Sequence, residues 1–176
     1  MILKELNQTD LIESYRQSIL KRFELAQTKQ ENSNCHAAAY YLLGVKQQEY
    51  CVGDACWIDL NIFQIVENIK DAIAVGFTRQ DQFKKNASIV KAGHIAVLHP
   101  YDKTKVIHRD LSGYRETKKF KDNFITESFL GLNPILIEPL FTVQKRYNNL
   151  NMYLLSFKSK CFNKLLIHKP SPNSVW

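Results

Sequence analysis

Residues 94–108 hold two short apolar segments around a polar turn. His94-Ile95-Ala96-Val97-Leu98 comes first, Pro100-Tyr101-Asp102-Lys103-Thr104 is the turn, and Lys105-Val106-Ile107-His108 returns. β-Branched residues on both sides of a Pro/Asp-containing turn predict an antiparallel hairpin. A hairpin of this kind needs further strands beside it and a covering layer on its apolar face. That requirement constrains the chain more than any other segment does.

The covering layer is predicted upstream. Residues from about Asp10 to Thr28 carry Leu11, Tyr15, Ile19, Phe23 and Leu25 or Ala26 at three- and four-residue steps, the period of an amphipathic helix. After the polar break 29–34, Ser33 or Asn34 can cap a second helix running from Cys35 to about Leu43, with Gly44 to end it. Residues 45–58 read as a hairpin or a loop around Gly53-Asp54. Asp59 then predicts a third helix from Leu60 to about Val75, ended by Gly76, with Ile62, Ile65, Val66, Ile69 and Ile73 on one face.

Further on, 77–88 is polar and irregular, and Ile89-Val90 is strand-like. A short helix is expected at 123–131 and strands at 135–143, 151–157 and 165–168. The tail 169–176, with two prolines, is expected to be irregular. Helices first and strands after predict an α+β domain with an antiparallel sheet. At 176 residues, 45% apolar and poor in Gly and Pro, the chain suits one domain over 1–176.

Net charge is +7. A solvated basic surface is the plain reading, and an anionic surface is the sharper one. The densest basic run, 115–121, has one interleaved aromatic and no nucleic-acid motif around it, so no specific nucleic-acid partner is expected. Cys35, Cys51, Cys56 and Cys161 are too few for a cysteine-stapled scaffold. The spacing of Cys51 and Cys56 could open a zinc site, but no usual second pair follows. Neither a metal nor another cofactor is expected. The opening residues hold no apolar stretch of signal-peptide length, and no segment is long and apolar enough to span a bilayer. Reduced thiols in a cytoplasm are the default, and export by a signal-independent machine fits equally.

The chemistry centres on Cys35 and His94. A thiol at a helix N-terminus lies beside unpaired backbone N–H groups that favour the thiolate, the nucleophilic form. A histidine brought to it by the sheet can act as its base. A third polar group must orient the imidazole, and strand alternation puts His108 and Asp110 on one face, with Arg109 on the other. Taken singly, Cys35 is more often a small buried hydrophobe and His94 a hydrogen-bonded structural residue. His36 points away around the helix and is given no role. Cys161 is expected to be inert, and Trp57 to be a packing residue.

A cysteine-headed helix, then His94-Ile95-Ala96-Val97-Leu98, then Val106-Ile107-His108 resembles the NlpC-type papain-like cysteine peptidases. The resemblance covers about residues 32–110. It implies a papain-like fold with N-terminal helices packed on a central antiparallel sheet. It also implies Cys35 as nucleophile, His94 as base and His108 as orienter, with Asp110 the alternative. The nucleophile segment Asn34-Cys35-His36-Ala37 departs from the family's usual Asp-Cys-Ser-Gly. Residues 88–93 stand where the family has Gly-Asp-Leu. The hairpin is also similar to the lecithin-retinol-acyltransferase-like branch, in which the cysteine follows the histidine; here it precedes.

The expected reaction is cleavage of an amide or peptide bond through a thioester. Peptide, glycan-peptide and lipid-amide substrates are all compatible, as is a role as a bacterial effector or toxin. The alternatives are acyl transfer through the same thioester and a non-catalytic basic binding module on this fold.

Overall fold

The computed structural model describes residues 8–28, 34–45, 56–79, 87–109 and 134–167. In chain order the elements are α1 (Gln8–Thr28), α2 (Cys35–Leu43), β1 (Cys56–Asp59), β2 (Phe63–Val66), β3 (Ala74–Thr78), β4 (Ile89–Ala92), β5 (His94–Leu98), β6 (Lys105–Arg109), β7 (Ile135–Pro139), α3 (Leu140–Arg146), β8 (Asn151–Phe157) and α4 (Ser159–Ile167). Six strands form one sheet in the order β2-β8-β3-β5-β6-β7, and β1 pairs separately with β4. Every pairing is antiparallel. The α+β class with an antiparallel sheet is therefore as the sequence predicts. No helix among the described residues is long and apolar enough to cross a membrane.

Helix α2 forms where its local signals place it. Asn34, in extended backbone, accepts the Ala37 N–H through Oδ1 at 2.9 Å and so satisfies one of the open donors at the helix start. Gly44 ends the helix at φ 71°, and its N–H and that of Val45 bond the carbonyls of Tyr41 and Tyr40 at 2.9 Å. A Cβ at Gly44 would also stand 2.8 Å from the Arg22 guanidinium, so both backbone and space call for glycine. All nine residues of α2 are buried. Such a helix has no solvent face and must be sandwiched. It packs against β5, β6, α1 and β1. On the α1 side, Tyr15 donates its hydroxyl to the Leu43 carbonyl at 3.0 Å.

The sheet separates two cores. On one side Ile95, Val97 and Ile107 pack with Cys35, Ala38, Ala39, Leu42, Phe63 and Leu155. On the other, Ala96, Leu98 and Val106 pack with Val75, Phe77 and, from α3, Leu140 and Val143. The alternation of β5 and β6 distributes these side chains between the layers.

Three predicted elements are corrected. The expected helix 60–75 is two strands, β2 and β3. Asp59 does cap a turn there, through Oδ1 to the Asn61 N–H at 2.8 Å, and Asn68 makes a second such turn with Lys70 at 2.9 Å. The two turns break the helical period, and β8 supplies the ladder to β2 and β3 from far along the chain. The expected strand 135–143 stops at Pro139, which lacks a ladder donor, and continues as α3. The expected strand at 165–168 corresponds to the end of α4, whose Phe162 packs edge-on to Tyr15 at 5.5 Å. The expected helix at 123–131 and the tail 169–176 lie outside the described residues.

Candidate active site

Two adjacent antiparallel strands bring His94 and His108 side by side. Gly93 precedes His94, and a Cβ there would stand 2.5 Å from Leu150 Cδ1, so a side chain at 93 would push Leu150 away. His94 and His108 are 0% and 1% exposed. His94 Nε2 lies 2.9 Å from His108 Nδ1. His108 Nε2 lies 3.0 Å from Glu138 Oε2 on β7. Register explains the last contact: His108 pairs with Leu136, and Glu138, two residues on, lies on the same face.

Glu138 is itself held. Arg146, the last residue of α3, donates Nη1 to Oε2 at 3.0 Å and Nη2 to Oε1 at 3.2 Å. This two-bond fork fixes the carboxylate plane. Burial pushes the Glu138 carboxyl towards the neutral form. The hydrogen bonds from Arg146 and then His108, together with the Arg146 charge, outweigh it and hold its pKa below the usual range. Tyr147, one residue beyond α3, stacks on the His94 ring with centroids 4.5 Å apart and planes 8° apart. Phe77 borders the same imidazole at 6.1 Å. Nδ1 of His94 is buried and has no hydrogen-bond partner among the described residues.

Cys35 heads α2 and is fully buried. It belongs to the core of Ile95, Val97 and Ile107, whereas the rings of His94 and His108 fall on the α3 side. The structure thus brings the two histidines together and packs the Cys35 helix on the same strand pair, with no hydrogen bond between the thiol and His94. Asp110, the alternative orienter, lies outside the described residues. Glu138, Arg146 and Tyr147 were not foreseen; the available signal was Pro139, which ends a strand and can open a helix.

His36 has a structural role that sequence reasoning did not give it. Its Nδ1 accepts the Trp57 N–H at 3.0 Å, tying α2 to β1. Burial pushes its pKa down to about 4, against the pull of Cys35 and Asp59. It is therefore a neutral acceptor near pH 7. Cys161 is half-buried, its thiol facing the Asn61 carbonyl at 3.7 Å. No cluster of three or more His, Cys, Asp or Glu suited to a metal occurs among the described residues. No family model, curated protein or solved structure matches the chain.

Proposed function

We propose that the chain is a cysteine hydrolase of papain-like, NlpC-type architecture that cleaves an amide or peptide bond through a thioester on Cys35. One observation carries the reading. His94 uses Nε2 to bind its orienting partner and keeps Nδ1 unengaged and buried, at the start of a strand against which the Cys35 helix packs. An imidazole anchored at one nitrogen and open at the other is what a thiol's base requires. Catalysis further requires the Cys35 sulfur to come within reach of Nδ1 at the start of β5. This is more than the tightening of a long bond, because the thiol lies in the layer on the other face of β5 and must reach Nδ1 round the start of that strand.

Nδ1 of His94 takes the proton from the Cys35 thiol. The thiolate adds to the substrate carbonyl carbon, and the positive end of the α2 backbone dipole favours the developing negative charge. The C–N bond breaks, and the amine leaves with the proton from His94. Water then attacks the thioester and gives its proton to Nδ1. The C–S bond breaks, the acid departs, and the Cys35 thiolate takes the proton back from Nδ1.

The non-catalytic binding module is a second reading, favoured by the buried thiol and its lack of a hydrogen bond to His94. A panel of cell-wall peptides, denatured proteins and lipid amides separates the two. The hydrolase reading expects turnover of one class, abolished in Cys35→Ala, with an acyl adduct mapped to Cys35 when the reaction is quenched. No turnover of any class, or full activity in Cys35→Ala, would favour the binding module.

A further inference from the structure

We propose that Glu138 and Arg146 are positioning residues that, through His108, set which nitrogen of His94 carries the proton. The catalytic meaning of this rests on reading His94 as the base, but the protonation pattern itself does not. A carboxylate can only accept hydrogen bonds. Arg146 holds Glu138 by two bonds, and Glu138 Oε2 also faces His108 Nε2 at 3.0 Å. His108 Nε2 must then carry the hydrogen. We take His108 as neutral, so that its other nitrogen, Nδ1, is bare and can only accept; a doubly protonated His108 in the wild type would donate to His94 instead and overturn the proposal. His94 Nε2, 2.9 Å away, must therefore be the donor. A neutral His94 with its hydrogen on Nε2 has a bare lone pair at Nδ1, the buried ring nitrogen for which the described residues hold no partner.

The relay runs from a carboxylate on β7 to a lone pair on β5. It has a consequence for the proton that arrives. An imidazolium at His94 still donates Nε2–H to His108, so the relay survives protonation, and the Glu138 charge lies two hydrogen bonds away. Without Glu138, His108 can reverse and donate Nδ1–H to His94. His94 would then carry its hydrogen on Nδ1, the tautomer that cannot accept a thiol proton.

The test reads imidazole nitrogen-15 shifts of the full chain near neutral pH, where a bare and a protonated ring nitrogen differ widely. The wild type is expected to show a bare Nδ1 and a protonated Nε2 on both histidines. Glu138→Leu should lose the bare-nitrogen signal at His94 Nδ1. Glu138→Gln, whose amide oxygen still accepts from His108, should keep it. A neutral wild-type His94 protonated on Nδ1 would overturn the proposal, and that measurement needs no variant to fold. An unchanged His94 pattern in Glu138→Leu would overturn it too. The stated pattern without thiol reactivity would leave the relay standing and sink the hydrolase reading alone.

Discussion

On one face of β5 and β6, Ile95, Val97 and Ile107 meet a helix with no exposed residue. On the other, His94 and His108 meet a glutamate, an arginine and a tyrosine. The first layer is held by apolar area, which is undirected and tolerates few polar groups. The second is held by four directed hydrogen bonds in sequence, each of which fixes a plane or a proton. The apolar layer decides where Cys35 sits. The polar layer decides what the His94 ring is able to do. The buried histidines make the same contrast: His36 spends its Nδ1 on a backbone N–H, while His94 leaves Nδ1 open.

The comparison can be broken by substitutions that should act on one layer and not the other. The largest stability effect belongs to the apolar layer. Leu42 is 0% exposed beneath the sheet, and Leu42→Ala should cost about 2–5 kcal/mol in denaturant unfolding. A loss well under 1 kcal/mol would mean that α2 is not clamped as described.

A smaller effect follows from pH. The His36 pKa is pushed down to about 4 in the folded chain, against an ordinary value of 6.5. A histidine held neutral by folding stabilises fully above its unfolded pKa. The unfolded chain takes up more protons between 6.5 and 4, so this contribution disappears as pH falls through that window. It amounts to something on the order of 3 kcal/mol. Unfolding free energy measured from pH 7 to pH 4 should therefore fall less steeply in His36→Asn than in the wild type. Equal slopes would remove His36 from the account.

Legibility in the sequence divides along the same line. Helix α2 was readable because its signals are neighbours: Asn34 at the start, an unbroken apolar run, Gly44 at the end. The β5–β6 hairpin was readable for the same reason, with its turn chemistry inside the segment. The Ile-rich segment 60–75 misled because spaced isoleucines match a helical period, while the deciding facts were two side-chain turns and a ladder to β8. Pro139 was the one local mark of the change from β7 to α3. Missing it hid Glu138, Arg146 and Tyr147, whose position depends on β6–β7 register and on a helix that ends beside His94. His94 and His108 were thus visible from the chain, and the residues that hold them were not.

The most direct measurement is alkylation of the native protein with iodoacetamide at neutral pH, followed by mass spectrometry of each cysteine. If Cys35 and His94 form the pair, Cys35 should react fastest of the four cysteines. That advantage should fall about a hundredfold in His94→Ala, in line with the loss of a positioned base. Slow and equal labelling of all four cysteines, or a Cys35 rate unchanged in His94→Ala, would contradict the account.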